Sequence, residues 1–309
     1  IEPKKTVPTT FGFTDIAGLV KGASRGEGLG NKFLGNIRET DAICEVVRCF
    51  RDKDVTHVDG DVDPIRDIET INLELIFADL ETVERRIGRL AKKAQSGDKD
   101  AKIEITILEK LKATLEANKS ARTIDFSKEE MVIVKQYTLL TMKPIIYVAN
   151  LGEEDLEDPS SNPHYNKVVE FAAGEGADVV PICAKIESEL VGMDKEEKDL
   201  FLQDLGIEES GLDKLIKEAY KLLGLRTYFT AGVQEVRAWT FKEGMTAPEM
   251  AGIIHSDFQR GFIKAETYSF NDLVEYGSEQ ALKEAGKIRQ EGKQYVGQDG
   301  DIMLFKFNV

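Results

Sequence analysis

Two short clusters in this chain have the residue types and spacing of phosphate and nucleobase chemistry. The first, Asp15-Ile16-Ala17-Gly18, ends an alternating stretch that begins at Thr9 and reads as a short strand delivering a loop. A D-x-x-G at a strand end is the pattern with which nucleotide hydrolases sense a γ-phosphate: the aspartate reaches Mg²⁺ through water and the glycine amide faces the phosphate. Four residues alone also arise by chance. The continuation argues against chance, because five glycines fall between Gly18 and Gly30, and such a backbone can be approached closely by a ligand. A flexible linker would not be flanked so tightly by a strand and a helix.

The second cluster is Asn150-Leu151-Gly152-Glu153, after the apolar run Lys143 to Asn150, with Cys183-Ala184-Lys185 after the run Ala177 to Ala184. A side-chain amide and a carboxylate three residues apart can read the hydrogen-bonding edge of a base, and a small-residue loop beside them can offer backbone amides. The guanine-reading pattern is N-K-x-D. Here Leu151 removes the lysine stem that packs along the base, and the longer Glu153 displaces the carboxylate, which weakens guanine selectivity and admits adenine. The competing reading is an ordinary strand-end cap. Leu19 stands where Ras-type enzymes orient the attacking water with glutamine, which leucine cannot do. His57, in a loop rich in Asp, Lys, Gly and Pro, is the candidate replacement, against the alternative of a solvated loop histidine.

These groups need strand ends to hold them. Asn31 to Ile37 reads as a helix, Ala42 to Phe50 as a buried strand, and Lys143 to Asn150 and Ala177 to Ala184 as two more strands. Strands alternating with helices indicate a parallel α/β sheet with its site at the carboxyl edge. Between them, Ile68, Ile71, Leu75 and Ala78, then Val83, Ile87, Leu90 and Ala94, recur at three-and-four spacing. Gly97-Asp98 breaks the pattern and Ile107 or Leu108, then Leu111 and Leu115, resume it, so an antiparallel helical hairpin is expected from about 66 to 120. A further helix should follow Asp125 or Ser127. After Leu225 short strands (235–241, 261–266, 302–307) around a helix near Ala247-Pro248 indicate a small α+β domain.

The chain has 309 residues, with 41 Lys and Arg against 56 Asp and Glu, a net charge of −15. That excludes a broad non-specific grip on a phosphate backbone, so any RNA contact is local. The three cysteines, Cys44, Cys49 and Cys183, form neither a disulfide framework nor a C-x-x-C and are expected to pack in a reducing cytoplasm. No apolar run reaches the roughly 18 to 20 residues of a membrane helix. The sequence opens on Ile1, without a signal-peptide pattern.

The stretch Asp15 to Ser24, with Gly26-Glu27-Gly28-Leu29-Gly30-Asn31-Lys32-Phe33-Leu34 and Ile37 to Ala42, resembles the switch II region of Obg-like P-loop proteins. Adding Asn150-Leu151-Gly152-Glu153, the hairpin, Phe229 to Gly232, Glu235 to Trp239, Ile254 to Phe258, Gly261 to Glu266, and Gln298 to Asp301 with the ending Phe307 to Val309, the chain resembles the YchF family of Obg-like ATPases over nearly its whole length. The resemblance implies an α/β fold: a P-loop NTPase G-type domain (1–65 and 123–224), an inserted antiparallel coiled-coil hairpin (66–122) and a small α+β β-grasp TGS domain (225–309). It implies Mg²⁺-dependent hydrolysis of ATP, with GTP secondary, and association with the ribosome, its large subunit in particular. Under it, Asp15 falls on the Mg²⁺ position and Gly18 on the γ-phosphate switch. Leu19 falls on the hydrophobic replacement of the catalytic glutamine, and His57 on the loop histidine implicated in hydrolysis. Asn150, Leu151 and Glu153, with Cys183, Ala184 and Lys185, fall on base recognition.

One departure is large: no G-x-x-x-x-G-K-[ST] occurs, since Gly286-Lys287 is followed by Ile288 and Gly292-Lys293 by Gln294. A missing βα unit would need at least roughly 30 residues, so a truncated N-terminus is expected, and the chain as written should bind nucleotide poorly and hydrolyse it hardly at all. Two other functions stay open: a ribosome-binding regulatory module with nucleotide only as effector, and a true Obg-type GTPase, which Leu151 and Glu153 disfavour. In the intact protein, His57→Ala is expected to lower kcat while leaving ATP affinity nearly unchanged; unchanged turnover would retire His57 as water orienter.

Overall fold

A computed structural model describes residues 3–16, 29–52, 55 and 61–308. The chain divides into two compact units, Thr14–Ala219 and a second formed by Ile1–Phe13 with Tyr220–Val309.

The larger unit is built on three parallel strands, β2 (Ile43–Arg48), β3 (Ile145–Asn150) and β4 (Asp178–Ile182), in the order β2-β3-β4. β3 is buried over its whole length except at Asn150, as expected of a central strand covered on both faces. The run expected as a buried strand, β2, alternates instead: Val47 and Cys49 are buried while Val46 is 67% exposed, because among the described residues β2 pairs on one side only. Pairing runs from Ile43↔Ile145 to Arg48↔Asn150 and on to Asn150↔Ile182. Arg48, Asn150 and Ile182 therefore stand level at the carboxyl edge. Helix α1 (Leu29–Glu39) precedes β2, and α5 (Pro163–Glu175) connects β3 to β4.

The hairpin is α2 (Pro64–Gln95) and α3 (Lys99–Glu116). Each starts where the local chemistry allows. Asp63 caps α2 ahead of Pro64, whose missing N–H costs nothing at a first turn. Gly97 takes φ +96° at the turn, and Asp98 caps α3 by accepting from the Ala101 N–H at 3.0 Å. The inner part of α2 buries Ile68 against Val47, Tyr147, Ala149 and Leu151 of the sheet, while its outer part buries Val83 and Leu90 against Leu108, Leu111 and Leu115. Arg86 Nε and the Tyr137 hydroxyl both donate to Glu104 Oε1 at 2.7 Å, tying the two helices to the segment that follows. The expected further helix is α4 (Lys128–Val134), whose first turn is closed by a capping box between Ser127 and Glu130.

The root of the hairpin is polar and buried. Asp79 accepts from the Leu140 N–H at 2.8 Å and from the N–H and hydroxyl of Thr141 at 2.7 Å each. Glu175 accepts from Arg122 Nη1 at 3.0 Å and from the Tyr147 hydroxyl at 2.9 Å. Glu45 of β2 lies in the same region, with its Oε2 buried and without a hydrogen-bond partner.

Helices α6 (Ala184–Leu190), α7 (Lys195–Asp204) and α8 (Gly211–Leu222) lead to the smaller unit. Its strands are β5 (Leu225–Ala231), β6 (Val236–Lys242), β7 (Phe262–Ser269), β8 (Arg289–Glu291) and β9 (Asp301–Phe307), joined by β1 (Thr6–Val7) in the order β1-β6-β5-β9-β7-β8. The first and last strands of the domain, β5 and β9, lie side by side and parallel, with Phe229 opposite Ile302, which is the β-grasp arrangement. Helix α9 (Ala247–Ile254) covers the sheet, with Met250 and Ala251 in a core with Tyr228, Phe241, Phe262 and Phe305. Helices α10 (Ser256–Arg260), α11 (Phe270–Tyr276) and α12 (Glu279–Glu284) complete the unit.

Two expectations are corrected at the N-terminus. Residues 9–16 form no strand; the strand is Thr6–Val7, paired parallel with Val236 and Arg237. A strand exists only where a neighbour takes up its backbone groups, and here the open edge of β6 does so: Lys4 N donates to Val233 O at 3.1 Å and Val236 N to Lys5 O at 3.0 Å. The segment up to Phe13, read from sequence as part of a nucleotide-binding domain over 1–65, accordingly packs with the C-terminal unit.

Burial pushes the Glu45 carboxyl up to about 8 from an ordinary 4.5, with Arg122 opposing and Glu175 and Asp67 adding. Folded Glu45 keeps a proton that the unfolded chain releases, so the stability it contributes is fully present below about 4.5 and lost as pH rises through about 8. Denaturant titrations across that window should show wild-type stability falling with pH, and Glu45→Gln should remove up to about 1.4 kcal/mol per pH unit of that slope. Parallel curves for the two proteins would show that Glu45 is not its source.

Candidate functional site

Asn150 ends β3 and is held from three sides. Its carbonyl accepts from the Cys49 N–H at 2.8 Å, extending the β2 ladder by one residue. Its side-chain Oδ1 accepts from the Ala184 N–H at 3.0 Å, at the first residue of α6. The next residue, Leu151, donates its N–H to Ile182 O at 2.7 Å. The amide is thereby fixed between the ends of all three strands, half-buried, with its Nδ2 as the remaining donor.

Glu153 and Lys185 lie on the exposed side of this edge, and Lys185 Nζ meets Glu153 Oε2 at 3.1 Å. That hydrogen bond is the main reason the Lys185 ammonium is held above its usual range. The carboxylate of Glu153 is therefore turned to a lysine rather than presented alone. Leu151 is 2% exposed and packs in the sheet core with Cys49 and Val168, so it shapes the edge from beneath. Cys183 is likewise buried, among Ile186, Leu190 and Leu202, and stands at the cap position of α6. Its side chain offers no cap hydrogen bond. After Ala184, whose amide Asn150 occupies, the first-turn amides of α6 have no acceptor within the helix.

The structure brings Asn150, Glu153, Ala184 and Lys185 together at one surface, with Leu151 and Cys183 behind it. Asp15 is exposed at the end of the first described segment. Gly18, Leu19 and His57 lie outside the described residues.

Two residues that sequence reasoning did not single out hold this edge. Asn162 Nδ2 donates to Cys49 O at 3.0 Å and to Asp155 Oδ2 at 2.7 Å, while its Oδ1 caps α5 by accepting from the His164 and Tyr165 N–H groups. The dipeptide Asn162-Pro163 carries that signal, an N-cap residue followed by proline at the first helical position. Arg48 stacks over the Phe50 ring at 4.6 Å, donates to Phe50 O at 3.1 Å, and reaches Val55 O at 3.0 Å. It thus anchors the chain two residues before His57, and a lone strand-end arginine gives no sequence sign of that.

Comparison with known proteins places these features in a family. Residues 225–308 match a family profile described as "YchF-GTPase_C: Protein of unknown function (DUF933)". The whole chain is 63% identical to the "Ribosome-binding ATPase YchF" of Bacillus subtilis (strain 168), covering 84% of it. It is 55% identical to the protein of that name from Escherichia coli O157:H7, again over the whole chain and 84% of the relative. A solved structure, "Structure of the Schizosaccharomyces pombe YchF GTPase", superposes with a TM-score of 0.87 at 39% identity, over 98% of this chain and 82% of that one. With a relative this similar over its full length, the chain belongs to the YchF family.

Proposed function

We propose that this protein is an Obg-like ATPase that works in association with the ribosome, hydrolysing ATP in preference to GTP. The observation that carries the base preference is the pairing of Glu153 with Lys185 beside the fixed Asn150. Guanine recognition needs a carboxylate free to accept from two N–H groups of the base, and a site built for such donors discriminates strongly when they are absent. Here the carboxylate has a lysine partner, and Asn150 Nδ2 with the first-turn amides of α6 supplies donors suited to the acceptors on an adenine ring. The 309 residues contain no G-x-x-x-x-G-K-[ST], so the groups they supply are those of the base edge and the switch.

Mg²⁺ fits this reading. The ion takes one or two protein carboxylates and completes its shell with phosphate oxygens and waters, and the described residues hold no closed cluster of acidic, His or Cys ligands. Asp15, single and exposed, is the carboxylate that would hold it, and the bound ion would neutralise phosphate charge. Gly18 would present its amide to the γ-phosphate, Leu19 would exclude bulk water without orienting the nucleophile, and His57 would orient it. Arg48, away from the reaction, would hold the chain at Val55, two residues before His57 in sequence. Ribosome association rests on the relatives' name, "Ribosome-binding ATPase YchF"; contact with the large subunit and with RNA is a further part of the proposal. No helix among the described residues is long and apolar enough to cross a membrane.

Calorimetric titration of the intact protein with ATP and GTP tests the base preference. Tighter ATP is expected, and ten-fold tighter GTP, a difference of about 1.4 kcal/mol, would overturn it in favour of the activity named for the fission-yeast relative. Asn150→Ala should weaken ATP binding by roughly thirty-fold, since it removes both the reading amide and the bond that positions α6, each on the order of 1 kcal/mol. Unchanged ATP affinity in a folded variant would leave Asn150 as a strand-end cap.

A further inference from the structure

The root of the hairpin holds three buried side-chain atoms without a hydrogen-bond partner: Glu45 Oε2 on β2, Asn72 Oδ1 on α2, and Arg122 Nη2 in the turn Ala121–Thr123 that follows α3. Glu45 is 9% and Asn72 6% exposed, and the Arg122 side chain 9%. Buried polar groups are normally paired, so three unpaired ones in one region need a common explanation.

The backbone brings them together. Glu45 stands opposite Tyr147 in the β2–β3 register, so both side chains leave the sheet on one face. On that face Val47, two residues along β2, packs with Ile68 of α2, while Ile43, two residues back, packs against the cluster that holds Leu75. Asn72 lies between Ile68 and Leu75 on the same side of α2, which sets it level with Glu45 and Tyr147. It donates to the Tyr147 hydroxyl. That hydroxyl donates to Glu175 Oε2 at 2.9 Å, and Glu175 also accepts from Arg122 Nη1 at 3.0 Å and from Ser120 Oγ at 3.2 Å. One chain of hydrogen bonds thus runs from α2 through β3 to the end of α5 and the turn after α3. It leaves a spare acceptor at one end, Asn72 Oδ1, and a spare donor at the other, Arg122 Nη2.

Glu45 can use either, but not in the same protonation state. An ionised carboxylate only accepts, which suits the guanidinium; a neutral carboxyl has an O–H to donate, which suits Asn72 Oδ1. Burial acts most strongly against the ionised form, Arg122 favours it, and Glu175 of α5 and Asp67 of α2 add to the opposition. Tyr147 of β3, the other titratable neighbour, is kept neutral by its own burial.

We propose that Glu45 is a proton-operated latch for the base of the hairpin: protonated, it donates to Asn72 Oδ1 and ties α2 to the edge strand β2; ionised, it turns to Arg122 Nη2 and releases α2. Because α2 is continuous from this point to the hairpin turn, releasing its base loosens the arm as a whole. The latch shares no residue with the base edge at Asn150, Glu153 and Lys185.

Amide hydrogen exchange of the full chain, followed by mass spectrometry over about pH 5 to 9, tests this. Rates are expressed as protection factors, which removes the intrinsic pH dependence of exchange, and thermal unfolding checks that each variant is folded. In the wild type the protection of residues 68–79 should fall as pH rises, by up to about ten-fold per pH unit between roughly 5 and 8, and level off above; this is the sign for a carboxyl that the closed form holds protonated. Glu45→Gln, whose amide donates at every pH, should stay protected throughout. It should do so only while Asn72 is present: Asn72→Ala should lower protection about ten-fold at about pH 6, and adding Glu45→Gln to it should restore nothing at about pH 8. Wild-type protection that does not change with pH would overturn the latch. So would a loss spread evenly over the sheet and the outer hairpin, which would make Glu45 a contributor to global stability alone. An equal gain from Glu45→Gln with and without Asn72 would overturn it too, by removing Asn72 as the partner.

Discussion

The candidate site depends on one hydrogen bond, from the Ala184 N–H to Asn150 Oδ1. Parallel strands bring their carboxyl ends level, but their ladders stop within a residue of there, at Cys49 and Leu151. Asn150 continues the ladder through its side chain. It ties β3 to the first turn of α6 while its own carbonyl holds Cys49 at the end of β2. A neutral bond of this kind contributes only about 1 kcal/mol. Its effect on geometry is larger than its energy, because it joins the end of β3 to the first turn of α6, which carries Lys185 and the free amides. Asn162 repeats the device one layer out, satisfying Cys49 O with the same side chain that starts α5.

The hairpin is joined to the sheet by different chemistry. An isolated helical pair of this length is stabilised chiefly by its packed face, and Val83, Leu90, Leu108, Leu111 and Leu115 supply that face. Its direction is set at the root, where the Asp79 carboxylate accepts three hydrogen bonds from Leu140 and Thr141 and the Arg122–Glu175 pair is almost fully buried. Buried ion pairs give little net stability because desolvation offsets their attraction, but breaking one partner leaves an uncompensated charge. The root therefore permits one arrangement and penalises others. Since α2 runs unbroken from Ile68 at the sheet to Leu90 in the hairpin, whatever orients its base also orients its far end.

How much of this was legible in the sequence varied with the range of the interactions. The hairpin could be read almost residue by residue, because its period, its break at Gly97-Asp98 and its caps are local facts of the chain. β3 was legible as an apolar run for the same reason. The segment 9–15 was not: its alternation is that of a strand, but whether it forms one depends on a neighbour, and the neighbour that exists, β6, pairs with Thr6 and Val7. β5 was missed as well: its antiparallel pairing with β6 is local, but its central place in the sheet comes from a parallel pairing of Phe229 with Ile302, far along the chain. Of the site, Asn150 and the Glu153–Lys185 pair stood out by residue type at strand ends. The polar root did not, because Glu45, Arg122, Tyr147 and Glu175 come from separate segments and each looks ordinary in its own.

Charge distribution carries the last step. A chain of net −15 repels a polyanion, yet charges in physiological salt are felt over only about 8 Å. A cationic patch on the body of the larger unit would share that distance with many carboxylates. At the end of a hairpin roughly 40 Å from the sheet, Lys92, Lys93 and Lys99 lie several screening lengths from the sheet body, with Asp98 and Asp100 as the nearest acids in sequence. The acidic body and the basic end are therefore compatible.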